Sequence, residues 1–415
     1  MKNNFFVVTS LSLLLLSFYA CKKEDNAGVV PPVVPPAGVV KTFYVSTATG
    51  DDSRTAEQTK KASTPWKTIQ KAANSVPGGS TVIIAGGTYV EKVSIPTSCN
   101  GTPTERTVFR NKENESVVLD GKNTGSQYEG LFKLVGNEYV VVKGITVQNG
   151  YWYGFSGEGS KNITLDSCST FNTRASGIYV KTSSEVTITR NNIRKACQEL
   201  TRDSFGNGSQ ECISVVMVDG FKIANNEVWD TSQVGDAGGE GIDAKSGSNN
   251  GEIANNYVHD IARLGIYVDA GSKDQFNVRV HSNRVFNTGG MSVAGEIGGH
   301  VHEIYFYNNV VKDSKSSGLT FQAIGNGKYT NVYVVNNTFY NNALNGFAGD
   351  VGNYSKNTGN SNLVIRNNIF YNKISNSRFS IWHDLAQPHV ISNNLYFDFK
   401  PSNNSSNSFN AAKLT

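Results

Sequence analysis

Residues 240–271 read EGIDAKSGSNNGEIANNYVHDIARLGIYVDAG. Two short runs in this stretch, GIDAK and GIYVDAG, alternate apolar and polar residues with the two-residue period of a strand. Between them stands IANNYV, in which a pair of asparagines separates apolar residues. The signature recurs as VTITRNNI, FKIANNEV, GEIANNYV, VRVHSNRV, IYFYNNVV, VYVVNNTF, LVIRNNIF and HVISNNLY. Its second Asn falls at 192, 226, 256, 283, 309, 337, 368 and 394, in steps of 26 to 34 residues. A second series lies upstream of the first seven: GIYVK at 177, CISVV at 212, GIDAK at 241, GIYVD at 265, MSVAG at 291, GLTFQ at 318 and GFAGD at 346. Each repeat therefore holds at least two short strands and two turns. One repeat cannot bury its own apolar positions, but stacked repeats can. A propeller blade needs about 40 residues for four strands, and a leucine-rich repeat needs its Leu pattern. The spacing predicts an all-β chain: a single-stranded right-handed parallel β-helix, or solenoid, over residues 41–400. The repeated asparagines are read as an Asn ladder, hydrogen-bonding from coil to coil and serving structure rather than chemistry.

The rest of the chain agrees with this pattern. Charged residues are 17%, below the usual quarter, and there are 41 glycines, which suits a β-rich chain with many turns. The net charge of +4 comes without a Lys/Arg run, so nucleic acid is not an expected partner. Residues 1–20 combine Lys2, the apolar stretch FFVVTSLSLLLLSFYA and small Ala20 before Cys21, the layout of a secretory signal. A Cys at that point resembles the lipobox of bacterial lipoproteins, which makes Cys21 the expected lipidation site. The KKEDN that follows resembles the tag that exports lipoproteins to the outer face of the outer membrane. Residues 21–40 contain GVVPPVVPPAGVV, read as a polyproline-II stalk, and 401–415 form a polar tail. The protein is expected at the cell surface, anchored to the outer membrane, as a monomer. Cys197 and Cys212 flank a long insertion and are read either as a disulfide staple or as buried thiols.

Alternation of faces puts Ile242, Ala244, Ile266 and Val268 inward, and Asp243, Lys245, Tyr267 and Asp269 outward. Aligning the coils gives two outward columns. One runs Tyr179, Ser214, Asp243, Tyr267, Ser292, Thr320, Ala348. The other runs Lys181, Val216, Lys245, Asp269, Ala294, Gln322, Asp350, and Glu296 follows Ala294 on the same face. Coils stack about 4.8 Å apart, so Lys245 and Asp269 are stacked neighbours, and Asp243 and Asp269 are diagonal at roughly 8 Å. The ionisable residues gather in central coils, beside the insertions CQELTRDSFGNGSQE and DTSQVGDAGGE, which would wall a groove. An ordinary cross-strand Lys–Asp pair, worth up to about 1 kcal/mol, is the competing explanation.

The strand–helix–PGGSTVII order after Lys41 resembles the N-terminal cap of right-handed parallel β-helix proteins, and the whole pattern resembles the pectate-lyase-like superfamily. Within it, EGIDAKS is similar to the Lys-Ser segment of the chondroitinase B and alginate lyase family. That resemblance implies Lys245 as base and Glu240 as a calcium ligand. Where that family carries an Arg on the next coil, this sequence has Asp269. The expected activity is a lyase acting on a uronate-containing polysaccharide by β-elimination. The catalytic set is Lys245, Asp243, Asp269 and Tyr267. Glu240, Asp243, Asp269 and Glu296 would hold calcium, Arg263, Lys181 and Gln322 would bind substrate, and no organic cofactor is expected. The alternatives are a glycoside hydrolase using paired carboxylates of the same face, and a binding-only surface module. Tyr151, Trp152 and Tyr153 are read as packing, His259 as a structural hydrogen-bonder, and His300 with His302 as too few ligands for a metal.

Overall fold

The computed structural model describes residues 41–402, apart from 200, 202–207, 209, 232–237, 323–324, 346–348, 356, 372–378, 384–389 and 398–399. The expected signal segment, Cys21, the stalk and most of the polar tail lie outside the described residues, as does Ala348.

Lys41 onward is a right-handed parallel β-helix. Each central coil makes three strands, one more than the minimum that the sequence shows. The coil that opens the quoted stretch uses Ile242–Lys245, Asn249–Ala254 and Tyr257–Ile261. The first two rows merge into a 23-stranded sheet, because Ile178–Thr189 and Ile213–Ala224 run through both rows as 12-residue strands. The third row is a separate 12-stranded sheet, and all the pairings around these coils are parallel. Valine, isoleucine and phenylalanine fill the interior in columns. Phe132 sits 5.6 Å from Phe155, and Phe339 sits 5.2 Å from Phe370.

A helix, Ile69–Ser75, sits at the N-terminal end. Thr68 caps it by accepting a bond from the Lys71 N–H, and Glu91 accepts from the Ile69 and Gln70 N–H groups. Its buried face, Ile69, Ala72 and Ala73, packs with Phe43, Val45 and Trp66 over the end of the core. The cap read from the sequence is present, though the helix is only 7 residues long.

The ladder is continuous. Asn226 donates from both N and Nδ2 to Asn256 Oδ1, each at 3.0 Å, and Asn256 Nδ2 donates to Ile223 O at 2.9 Å. The pattern repeats through Asn283, Asn309, Asn337, Asn368 and Asn394. The first rung needs correction. It is Asn191, not Asn192, that bonds Asn226 Oδ1. In every other coil the residue before the rung takes the left-handed conformation and is Asn or Ser. Here Arg190 takes it (φ 56°), which moves the rung back by one. Asn192 instead donates to Glu227 and accepts from Trp229. Asn256→Ala strands the Asn226 N–H and the Ile223 carbonyl in a dry interior, at about 1–3 kcal/mol each. Denaturant unfolding should therefore show a loss of several kcal/mol. Asn192→Ala should cost no more than about 1 kcal/mol.

A roofed acidic pocket on three stacked strands

The site strands start where glycine lets the chain turn tightly. A Cβ on Gly241 would lie 2.5 Å from Gly265 O and 2.7 Å from Val258 Cγ1. The strands then stack in the register read from the sequence. Asp243 lies opposite Ser214 and Tyr267, Lys245 opposite Val216 and Asp269, and Asp269 opposite Ala294. The columns slip only near the C-terminal end. Thr320 pairs with Gly352, so the strand Gly349–Asn353, rather than GFAGD itself, carries the alignment. Asp350 therefore leaves the second column. It is buried, its pKa is pushed up to about 7 by that burial, and it accepts a bond from the Asn342 N–H.

The patch is not the open strand face that alternation suggests. Asp243 is 1% exposed, Asp269 6% and Tyr267 7%. The described ends of the two insertions, Gln210 with Glu211 and Gly238 with Glu240, roof these strands. They border an open-sided pocket of about 210 Å³ lined also by Lys245, Arg263 and Glu296.

The pairings differ from the expected ones. Lys245 does not turn to Asp269. Its Nζ lies 2.7 Å from Glu211 Oε1 and 3.0 Å from Gln210 Oε1, back toward the preceding coil. Ser214 Oγ holds the other Glu211 oxygen at 2.7 Å. Arg263 Nε donates to Glu240 Oε1 at 2.7 Å, and the Tyr267 hydroxyl donates to Glu296. The Gly271 N–H donates to Asp269 Oδ1 at 2.7 Å. Asp243 Oδ1 is buried with no hydrogen-bond partner among the described residues.

Five carboxylates (Glu211, Glu240, Asp243, Asp269 and Glu296) thus face two cations, Lys245 and Arg263. The pKa shifts follow from this imbalance. Burial, then Glu211, raises Asp243 well above the carboxylate range. Burial, then Glu296, raises Asp269 to about 7. Burial and Glu211 raise Glu240. Tyr267 is raised by burial and by Asp269 and Glu296. Burial alone would lower the Lys245 ammonium, but Glu211, Asp243 and Glu240 outweigh it and raise its pKa, so the group is charged at rest. Surplus carboxylate oxygens, one of them orphaned among the described residues, are the donor type that a hard divalent cation such as calcium takes, although no three of the pocket's carboxylates bring ligand oxygens within 4.8 Å of one another in the described residues. Asp243 and Asp269 are the best-placed donors, because Glu240 is engaged by Arg263 and Glu296 by Tyr267. Arg263→Met leaves Glu240 buried without its cation and should destabilise the fold by about 3 kcal/mol. The loss should shrink in unfolding measurements at acidic pH, where Glu240 takes up a proton.

Lys181 and Gln322 lie outside this cavity. Lys181 pairs with Glu158 at 3.0 Å and lines a neighbouring groove of about 380 Å³ with Tyr153 and Tyr179. Gln210 lines both hollows. Gln322 sits just past its strand, its backbone bonded to Val293 O at 3.0 Å. Trp152 and Tyr153 are buried with Ala175, Tyr153 stacks on Tyr179 at 4.4 Å, and Arg174 lies over Tyr151 at 5.1 Å. Trp152 and Tyr153 are packed as expected, Tyr153 also lining the groove beside Lys181, whereas Tyr151 is only half-buried. His259 lies on a strand rather than in a turn, stacked between Trp229 and Tyr257, with Nδ1 2.8 Å from Asp260. Cys197 and Cys212 are buried thiols, and the pKa of Cys197 is raised by burial and by Cys212 beside it. Glu211 and Gln210 escaped the sequence reading.

Residues 43–228 match the family model described as Pel9A-like, right-handed β-helix region. Protein YwoF of Bacillus subtilis (strain 168) is 29% identical over 361 residues, which are 79% of this chain and 68% of that protein. Pectate lyase PEL9 of Emericella nidulans is 37% identical over 87 residues, 21% of this chain and 20% of that enzyme. Among solved structures, XylC in complex with xylose matches with a TM-score of 0.56 at 14% identity, covering 89% of this chain and 85% of that one. The Streptococcus pneumoniae surface adhesin PfbA matches with a TM-score of 0.56 at 15% identity, covering 88% and 93%. At these identities the two structures share the fold with this chain.

Proposed function

From a right-handed parallel β-helix whose residues 43–228 match the Pel9A-like region, we propose an exported lyase that cleaves a uronate-containing polysaccharide by β-elimination. The observation that carries the reading is the buried Asp243 Oδ1, without a hydrogen-bond partner among the described residues, in a pocket where five carboxylates outnumber two cations. The match of 87 residues to a pectate lyase supports it.

Elimination removes the proton beside a uronate carboxylate, and the negative charge that develops must be offset. Calcium, when bound by Asp243 and Asp269 with Glu240 and Glu296 beside them, would supply that positive charge. Arg263 and Lys245 are the chain's own cations facing the same cavity, suited to orient a carboxylate. Lys245 is the proposed base. Glu211, Asp243 and Glu240 hold its proton on at rest, so it turns basic only as those carboxylates are neutralised. With calcium offsetting those carboxylates, the rate should climb toward alkaline pH as the Lys245 ammonium loses its proton. The Tyr267 hydroxyl is the proposed proton donor to the leaving oxygen, a role that requires its proton to leave the hydrogen bond to Glu296. The groove beside Lys181 and Tyr179 extends the surface that a polymer would follow.

The test is incubation with pectate, alginate and glycosaminoglycans. Ultraviolet absorbance from unsaturated uronate ends is the expected result, lost on chelation. Reducing ends without that absorbance would instead mark hydrolysis. One observation favours that second reading: Asp269 at about 7 is placed to act as a general acid near neutrality. Retention of a glycan without cleavage would leave a binding module, a role consistent with the adhesin fold match. The surface location and lipid anchor at Cys21 are part of the proposal, and labelling with a radioactive fatty acid, lost in Cys21→Ser, tests them.

A further inference from the structure

A second group of donor atoms lies on the neighbouring row of strands. Asp274–His281 and His300–Tyr307 pair in parallel, with Asp274 opposite His300 and Phe276 opposite His302. One carboxylate oxygen of Asp274 and one ring nitrogen from each histidine all lie within 4.8 Å of one another. His300 Nδ1 is 3.6 Å from Asp274 Oδ1. Both rings are braced. His302 stacks on Phe276 at 5.2 Å, and His300 Nε2 lies 2.9 Å from Thr330 Oγ1 on the next strand. When His300 Nε2–H donates to that hydroxyl, the Nδ1 lone pair faces a carboxylate oxygen, and the space between them suits a cation. The sequence shows two histidines; the register adds the third ligand from the preceding coil.

We infer that Asp274, His300 and His302 form a site for one divalent transition-metal ion of the zinc type, separate from the acidic pocket. Two imidazoles and a carboxylate suit zinc or its first-row neighbours, whereas calcium takes oxygen ligands. Three protein ligands leave a fourth position for water. Ligands about 2.0–2.1 Å from a tetrahedral ion stand about 3.3 Å from each other. The 3.6 Å separation is close to that, and Asp274, whose side chain is 71% exposed, has room to swing in. Thr330 supplies the second hydrogen bond that orients a ligating histidine. Lys328, opposite His300, is the like charge that limits affinity. The ion would brace two turns that carry the acidic pocket. Asp274 follows Asp269, and His300 follows Glu296, within one turn. The turns already meet through Gly299 N–H to Gly271 O at 3.0 Å and His300 N–H to Lys273 O at 2.9 Å.

The test is calorimetric titration of the chelator-stripped full chain, carrying no histidine tag, with Zn²⁺ in excess Ca²⁺. One zinc per chain is expected. Its affinity should fall at least tenfold in His300→Gln and in His302→Gln, and also in Thr330→Val, which keeps all three ligands. It should persist in Asp243→Asn. Thermal unfolding should show a zinc-dependent rise in Tm in the wild type that His302→Gln lacks. Absence of binding, or equal binding in the histidine variants, would overturn the inference. So would loss in Asp243→Asn with His302→Gln unaffected, which would put the zinc in the acidic pocket.

Discussion

Lys245→Ala should lower kcat/KM for glycan cleavage by about 10³-fold, the usual scale for removing a positioned general base. Lys245 is held by Glu211 and Gln210 on a strand whose neighbours fix its register. No other lysine lines the cavity among the described residues. The change also removes one of the two positive charges there. Calcium should consequently bind more tightly to the variant, although the variant turns over far more slowly. A loss through misfolding would weaken both binding and turnover, so calcium titration beside the kinetics separates the two. Lys245→Arg keeps the charge but holds its proton too firmly to act as a base, and should be nearly as slow. Recovery of most of the activity in Lys245→Arg would sink the assignment of Lys245 as base and leave it as a binding cation.

Asp269→Asn should stabilise the ion-free protein at pH 8, with the gain vanishing near pH 4. The folded-state pKa of Asp269 is about 7, against about 3.9 in an unfolded chain. Below pH 4 both states hold the proton and the residue contributes no difference. Between pH 4 and 7 the unfolded chain releases its proton while the folded chain keeps it, so stability falls as pH rises. Above pH 7 the whole cost is in place, with an upper limit of about 4 kcal/mol for a shift of this size. Asparagine carries no charge and can still accept the Gly271 N–H. Asp243→Asn should act in the same direction, because Asp243 is buried and one of its oxygens has no partner among the described residues. Calcium should reverse the order, stabilising the wild type at pH 8 and the two variants little. If denaturant unfolding of ion-free Asp269→Asn and the wild type coincides across pH 4 to 8, Asp269 is ionised like any surface carboxylate. The acidic pocket is then not the site of crowded, burial-shifted carboxyls described above.

The fold was legible in the repeated apolar–Asn-Asn–apolar signature, because one interior position is conserved in kind from coil to coil by the physics of stacking. The outward columns were legible for the same reason wherever Gly-Ile or Met-Ser marks a strand start. They failed where GFAGD imitates that start and the true strand begins at Gly349. The rung at Asn191 was missed because Arg190, not Asn, took the left-handed turn position. The pocket roof was harder to read. Glu211 comes from an insertion, and insertions have no period. A signal was present nonetheless. Glu211 precedes Cys212-Ile213 as Glu240 precedes Gly241-Ile242. Ile213 pairs with Ile242, so extending the alignment one residue to the left would have stacked the two glutamates. The partner of Lys245 could not be read from register, since a long side chain reaches forward or back along the stack with equal ease.

The most direct test of the acidic pocket as an elimination site is ultraviolet absorbance during digestion of uronate glycans by the wild type and by Lys245→Ala, with and without chelator. The account predicts a rising absorbance on at least one uronate polymer, abolished by chelation and lowered by about 10³-fold in the variant. Cleavage that yields reducing ends with no absorbance, or absorbance that is unchanged in Lys245→Ala, would contradict it.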